Sequence, residues 1–213
     1  MTLPRFTTVS CRGLPSFLAA AALVLLGTLA GCSPADPNAP SFKAVDITGA
    51  DYAQALNLTD ADGQARQLSD FKGKVVVVFF GFTQCPDVCP TTLAELAAVK
   101  QSLGADGADV QGIFVTVDPA RDTAEVLKAY VGAFGADFVA LRGSDDEIRA
   151  AAKAFKVFYA KVPGRTDSSY TMDHTAGSYA FDRQGRVRLF TRYGTGAEAL
   201  AHDLKILLAE PKA

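Results

Sequence analysis

The sequence has few cysteines and no excess of charge of one sign. Four cysteines among 213 residues are too few for a disulfide-dense fold, and 49% hydrophobic with 21% charged residues is typical of a globular protein. The 21 Lys and Arg residues nearly balance the 23 Asp and Glu residues, and no basic run is present. Because nucleic-acid binding requires a basic surface, we predict that the chain binds no nucleic acid.

Acidic residues are absent from the first 35 positions, where an apolar run lies instead. Arg5 and Arg12 precede this run, which extends over Phe17–Leu26 and is too short to span a bilayer comfortably. Small residues follow at Leu29–Cys32. This order predicts a secretory signal peptide over residues 1–31, with a membrane-anchor helix as the alternative.

The sequence Leu-Ala-Gly-Cys at residues 29–32 resembles a bacterial lipobox. The resemblance implies cleavage before Cys32 and acylation of its thiol. The mature protein is then lipid-anchored to a bacterial cell membrane and faces the periplasm or the cell exterior. Residues 32–42 are polar and rich in proline, which predicts a flexible tether, and residues 43–213 are expected to form one folded domain.

Only two cysteines remain as free sulfurs in this predicted mature chain. Cys11 leaves with the signal peptide and Cys32 carries lipid, so Cys85 and Cys89 are left. In an exported protein, two thiols four residues apart either form a disulfide or hold a metal ion. A domain of this length buries a sufficient core without a disulfide, so both alternatives indicate a functional pair.

Apolar runs and amphipathic segments alternate along the domain. Strands are predicted at Val75–Phe82, Val110–Val117, Phe138–Leu141, Gly177–Phe181 and Val187–Tyr193. Helices are predicted at Pro90–Leu103, at Asp122–Phe134, from the capping box at Ser144 to Phe155, and through Leu200–Leu208. Leu56–Leu58 and Ala65–Leu68 flank a turn signal, and Ala160–Tyr170 is interpreted as an exposed loop.

This order of elements predicts an α/β domain with a mixed central sheet flanked by helices. A strand, helix, strand, helix and strand, followed by a hairpin and a final helix, suit a thioredoxin-like fold. The turn signal near the start of the domain adds an N-terminal β-hairpin extension.

Both cysteines lie in a loop between a predicted buried strand and a helix. Functional residues in α/β sheets collect at the carboxyl ends of strands. Pro90 is favoured in the first turn of a helix, which places Cys89 near the helix N terminus, where the dipole favours a thiolate. If the loop is nearly helical, a metal ion spans the two sulfurs more easily than a disulfide does.

The predicted mature chain has two histidines, which differ in their surroundings. His202 falls on the polar face of the last helix, beside Glu198 and Lys205, and is interpreted as a solvated surface residue. His174 directly precedes the strand predicted at Gly177–Phe181. In a thioredoxin-like fold the loop before this strand faces the loop that carries the cysteines.

Cys85, Cys89 and His174 can therefore converge on one metal ion. Two soft thiolates with one imidazole select Cu(I), and Cu(II) is also feasible. Zinc usually takes a fourth ligand and stays an alternative, because nearby carboxylates can supply an oxygen. The candidates for that oxygen are Asp87, Asp118 and Asp173. Asp118 and Asp173 are more simply interpreted as ligand-orienting or capping residues, and Met172 as a packed side chain.

Three motifs occur in order along the domain: Cys-Pro-Asp-Val-Cys-Pro at 85–90, Val-Asp-Pro-Ala-Arg-Asp-Thr at 117–123, and Asp-His-Thr at 173–175. Together they resemble the Sco/SenC family of thioredoxin-like copper proteins, from about Lys43 to Leu208. The resemblance implies that Cys85, Cys89 and His174 are the copper ligands. It also implies a role at the binuclear copper A centre of cytochrome c oxidase.

The resemblance leaves two alternative functions at that centre. In the first, the protein is a copper metallochaperone that delivers copper to cytochrome c oxidase subunit II. Another periplasmic copper chaperone and a thiol reductant are then its further partners. The second is a thiol-disulfide oxidoreductase in which Cys85 and Cys89 reduce the cysteines of the copper centre. Thioredoxin-family reductases, however, use a two-residue spacer and a cis-proline before the facing strand.

Here the spacer has three residues, and Pro163 is the nearest proline before His174. A redox or copper sensor is a third alternative. We therefore predict a copper-binding assembly protein rather than an enzyme.

Overall fold

The computed structural model describes residues 41–166 and 169–212. The predicted signal peptide, the predicted lipidation site Cys32 and most of the predicted tether lie outside these residues. Within the described ranges, no helix is both long enough and apolar enough to cross a membrane.

Strands and helices alternate through the middle of the domain. The strands are β1 (Val45–Asp46), β2 (Asn57–Asp60), β3 (Ala65–Gln67), β4 (Val75–Gly81), β5 (Val110–Thr116), β6 (Val139–Arg142), β7 (Tyr159–Pro163), β8 (Tyr170–His174), β9 (Gly177–Phe181) and β10 (Val187–Arg192). The α-helices are α1 (Val88–Ser102), α2 (Ala124–Gly132), α3 (Asp145–Ala154) and α4 (Ala197–Ala209). Short 3-10 helices lie at Leu68–Phe71 and Gly104–Asp109.

The main sheet is mixed and follows the order β1-β10-β9-β4-β5-β6-β2-β3. Strands β4, β5 and β6 are parallel, with Val75 opposite Val110 and Gly81 opposite Thr116. All seven residues of β4 and all seven of β5 are buried, as expected of parallel strands covered on both faces. Strands β9 and β10 continue the sheet in antiparallel pairing on the other side of β4.

Helices lie on both faces of this sheet. Alternate residues of β4 point to opposite faces. The ring centres of Phe79 and Phe114 are 6.2 Å apart, and those of Phe114 and Tyr130 of α2 are 5.5 Å apart. On the opposite face, the Phe80 ring lies 5.1 Å from Phe155, which follows α3. Helices α1 and α4 pack against each other, and the fold is a layered α/β domain as predicted.

The predicted N-terminal hairpin is present and lengthens the sheet. Strand β3 pairs with β2, and β2 pairs antiparallel with β6. The buried Asp60 organises the turn, because its carboxylate accepts the backbone N–H groups of Asp62 and Gln64 at 3.0 and 2.8 Å and the Arg66 side chain at 2.7 Å.

The segment Ala160–Tyr170, predicted to be an exposed loop, is largely exposed, but its two ends belong to paired strands and the prediction missed that hairpin. Strands β7 and β8 form a separate antiparallel ribbon in which Tyr159 lies opposite His174 and Pro163 opposite Tyr170. The ribbon's side chains are exposed or half-buried, so neither strand carries the apolar run that marked the strands of the main sheet. The pairing between the two strands, rather than burial, makes this segment a hairpin.

Sheet topology brings three segments to one edge. The cysteine loop follows β4, and the segment 117–123 follows β5, which is parallel to β4. Strand β9 is antiparallel to β4, with Phe79 opposite Ser178, so the start of β9 lies beside the end of β4. His174, three residues before β9, therefore reaches the edge that carries the cysteines.

Candidate metal centre

The two cysteines take different positions at the start of α1. Cys89 is the second residue of the helix and is fully buried, whereas Cys85 precedes the helix and is half-buried. The Cys89 N–H donates to Cys85 Sγ at 3.4 Å, and the Asp87 side chain makes no capping hydrogen bond. The Cys85 sulfur therefore takes the role of an N-cap acceptor for one of the free N–H groups of the helix.

His174 presents one ring nitrogen to the cysteines. Its Nδ1 lies 3.1 Å from the Thr175 carbonyl oxygen, which assigns the proton to Nδ1 and leaves a lone pair on Nε2. Nε2 lies 3.5 Å from Cys89 Sγ. The rings of Phe79 and Phe82 meet the imidazole edge-on at 5.8 and 5.9 Å and restrict its rotation.

Cys85, Cys89 and His174 form a metal-ligand cluster. Their donor atoms all lie within 4.8 Å of one another. Donors at about 2.0–2.3 Å from one ion lie about 3.5–4 Å apart, so a small closure accommodates a metal ion. The donor set, two sulfurs and one imidazole nitrogen, suits copper.

Burial shifts the pKa values of two of these groups in opposite directions. Burial raises the pKa of the Cys89 thiol, and its hydrogen bond with Cys85 raises it further. Burial lowers the pKa of His174, and the Thr175 carbonyl and Asp173 offset this only in part. Without a metal ion, Cys89 is therefore a neutral thiol. Burial thus opposes the stabilisation of a thiolate that the helix dipole gives at this position.

The aspartates considered as oxygen ligands lie elsewhere. Asp118 forms an ion pair with Arg121 and accepts the Tyr170 hydroxyl at 2.9 Å. Asp87 and Asp173 are exposed, and in the described part of the chain the ligand cluster around the cysteines contains no carboxylate. A fourth, oxygen ligand for zinc is thus not provided by these residues.

The two other side chains weighed for this site lie outside the cluster. The Met172 side chain packs against the core, as predicted. His202 is exposed on α4, where its Nδ1 lies 2.9 Å from Asp203.

A buried carboxylate holds the cysteine loop in place. Asp122 is fully buried and accepts hydrogen bonds from the Thr83 backbone N–H at 3.1 Å, the Thr83 hydroxyl at 2.6 Å and the Thr116 hydroxyl at 2.5 Å. It thereby joins the loop to the end of β5. No role for Asp122 was predicted from the sequence. Its place after a buried strand adjacent to β4 was the available signal.

The SCO1/SenC family model matches residues 45–209. The chain belongs to this family. An SCO2-like protein of Rickettsia typhi is 34% identical over 168 residues, covering 77% of this chain and 83% of the relative. The human mitochondrial SCO2 homolog is 38% identical over 140 residues, covering 65% of this chain and 52% of the relative, so the chain spans about half of that protein.

Solved structures of Sco proteins share the fold. ScoI of Bradyrhizobium japonicum with copper bound is 40% identical, with a TM-score of 0.66 over 72% of this chain and 97% of that chain. The structure of BsSco, described as having a disulfide switch and as a member of the Sco family of cytochrome c oxidase assembly proteins, is 23% identical, with a TM-score of 0.62 over 80% of this chain and 100% of that chain. The predicted thioredoxin-like fold of a Sco/SenC protein is confirmed.

Proposed function

We propose that this chain is a copper metallochaperone that holds copper through Cys85, Cys89 and His174. It delivers the copper to the binuclear copper A centre in subunit II of cytochrome c oxidase. One observation carries the proposal: two sulfurs and an unprotonated imidazole nitrogen lie within 4.8 Å of one another. Family membership and the copper-bound ScoI structure support it.

The chemistry of the donors suits transfer rather than permanent storage. Three ligands are enough for Cu(I), and Cu(II) is also feasible. Because a three-coordinate ion has room for a further ligand, an incoming thiolate adds before an existing ligand leaves. Cys85 is half-buried whereas Cys89 is fully buried, so the incoming ligand approaches from the Cys85 side. Both sulfurs must be reduced, because a disulfide offers no thiolate.

The cellular setting follows from the same proposal. Acylation of Cys32 anchors the protein to the outer side of a bacterial membrane, next to its recipient. A second copper chaperone supplies the metal, and a thiol reductant keeps Cys85 and Cys89 reduced.

A thiol-disulfide oxidoreductase is the second candidate function. It is favoured by the contact between the Cys89 N–H and Cys85 Sγ, which brings the two sulfurs together. The Cys85 thiolate attacks the recipient's disulfide and forms a mixed disulfide, and Cys89 then displaces the recipient. The recipient gains two electrons and two protons, and Cys85 and Cys89 become a disulfide. Rapid reduction of a disulfide-bonded copper A domain by the metal-free chain favours this reading.

An anaerobic Cu(I) competition titration of the reduced full-length chain tests the metallochaperone. We expect one tightly bound equivalent in the wild type, weakened in His174→Ala by at least the roughly 10- to 100-fold that loss of a residue orienting a ligand costs. His202→Ala is the matched control, because this exposed histidine lies outside the cluster. Equal affinity in wild type and His174→Ala contradicts the three-ligand site, and absence of tight copper binding moves the assignment to thiol redox chemistry.

A further inference from the structure

Arg121 connects the two halves of the ligand cluster. Gln84 immediately precedes Cys85, and Tyr170 is the first residue of β8, the strand that ends at His174. The Arg121 Nη1 group donates to Gln84 Oε1 at 3.0 Å and to the Tyr170 carbonyl oxygen at 2.9 Å. One guanidinium therefore bridges the cysteine loop and the strand that carries the histidine.

The carbonyl, the ring and the hydroxyl of Tyr170 each make a contact with Arg121 or Asp118. Its carbonyl accepts from Arg121, whose guanidinium carbon lies 3.7 Å from the centre of the Tyr170 ring. Its hydroxyl donates to Asp118 at 2.9 Å, and Asp118 is the ion-pair partner of Arg121. The planar guanidinium stacks and donates at once, which the compact ammonium of lysine does not do in the same geometry.

The hairpin has little other backbone support. Strands β7 and β8 form their own two-stranded sheet and belong to no ladder of the eight-stranded sheet among the described residues. Next to the base of the hairpin, the Thr175 N–H donates to the Phe158 carbonyl oxygen, and the Phe158 N–H donates to the Thr175 hydroxyl, so these two bonds join the two ends of the hairpin to each other. The strand β9 and the rings of Phe79 and Phe82 fix His174 from one side, and the side-chain contacts to the cysteine loop and to the segment after β5 add the constraint from the β8 side.

We propose that Arg121 is a positioning residue that sets the separation between the cysteine half and the histidine half of the copper site. The inference rests on the proposed function, since it concerns the same cluster. The hydrogen bonds and the ion pair of Arg121 go to Gln84, Tyr170 and Asp118, which lie beside the three proposed ligands. Its loss withdraws the imidazole from copper while both sulfurs still bind.

A double-mutant cycle on the reduced full-length chain, with Cu(I) and a competing chelator, tests this inference. Arg121→Gln is expected to weaken Cu(I) binding by about 10- to 100-fold in the wild-type background. In the His174→Ala background it is expected to cause no further loss, because the imidazole it positions is already absent. An equal loss in both backgrounds overturns the proposal and makes Arg121 a general stabiliser of the fold.

Two further variants provide an alternative to Arg121→Gln and a control for it. Gln84→Ala removes one arm of the bridge at an exposed side chain, and is expected to give a smaller loss with the same dependence on His174. It replaces Arg121→Gln in the cycle should that variant not fold. Arg149→Gln is the control, because Arg149 is an exposed arginine of α3 whose ion-pair partner is Asp146, and it should leave copper binding unchanged.

Amide hydrogen exchange of the metal-free, reduced chain separates this inference from the proposed function. Arg121→Gln is expected to speed exchange in β7 and β8 while α1 and α4 stay protected. If the wild type binds no copper but exchange in β7 and β8 is faster in the variant, the proposed function is wrong, whereas the inference that Arg121 positions the hairpin is supported. Unchanged exchange in the hairpin together with unchanged copper affinity overturns the bridge.

Discussion

In the proposed copper site, the metal-free Cys89 and His174 have different protonation states. Burial raises the pKa of the Cys89 thiol and lowers that of His174 from its ordinary 6.5. The imidazole is thus a ready ligand at neutral pH, with its proton on Nδ1. The Cys89 sulfur, in contrast, must release a proton before it binds, so copper and the proton compete for this sulfur.

The first prediction is that Cu(I) affinity rises with pH. The Cys89 proton alone contributes about tenfold per pH unit between pH 6 and 8, since this range lies below its raised pKa. His174 contributes little above pH 6.5, because its pKa is lowered and it is already neutral there. Competition titrations at three pH values measure the slope. Cys89→Ser should have a shallower slope, and a flat profile in the wild type contradicts thiolate ligation.

At the scale of elements, the end of β4 and the start of α1 are in close contact where the site begins. A Cβ atom on Gly81, the last residue of β4, would lie 2.8 Å from Cys89 Sγ and 2.9 Å from Cε2 of Phe114. Both distances are shorter than van der Waals contact. Glycine at this position therefore allows the start of α1 to pack its cysteine directly over the end of the strand.

The second prediction concerns this contact. Gly81→Ala is expected to lower the free energy of unfolding by about 1–3 kcal/mol, because neither the helix nor the Phe114 ring can yield without repacking. It should also weaken copper binding by displacing the Cys89 sulfur. Urea unfolding of the reduced, metal-free chain and a copper titration measure the two effects.

Gly132→Ala in α2 is the matched control. A Cβ there meets nothing within 4 Å, and alanine favours a helix over glycine, so stability should stay unchanged or rise by up to about 1 kcal/mol. Equal destabilisation by the two substitutions contradicts the packing argument.

At the scale of the whole molecule, the proposed copper site joins distant parts of the chain. Cys89 and His174 are 85 residues apart in sequence, and Arg121 and Tyr170 are 49 apart. The complete ligand set therefore exists only in the folded state. A ligand that binds the folded state far better than the unfolded state stabilises the fold by mass action.

The third prediction is that copper raises the unfolding temperature. At free Cu(I) 100-fold above the dissociation constant, linkage adds about 2.7 kcal/mol, which corresponds to roughly 5–10 °C for a domain of this size. Anaerobic calorimetry with buffered Cu(I) measures the shift. The variant with both Cys85→Ser and Cys89→Ser should show none, and an equal shift in that variant excludes the cluster as the site.

Much of the fold was predictable because the signals are local. Seven-residue buried runs, in which β-branched and aromatic residues predominate, mark β4 and β5, and helical periodicity marks the helices between strands. Helix α1 begins at Val88, two residues before the predicted start at Pro90, because the Cys85 sulfur accepts a hydrogen bond from its first turn. The hairpin of β7 and β8 was missed because its strands pair with each other at the surface and carry no buried run.

The sequence by itself determined the family, the α/β order of elements and the identity of the three candidate ligands. Those properties depend on residue type and local spacing. Only the tertiary structure decided that Nε2 of His174 faces the sulfurs, that burial keeps Cys89 protonated, and that Arg121 bridges Gln84 and Tyr170. Each of these depends on how distant segments pack and on how far water is excluded between them, which no local pattern contains.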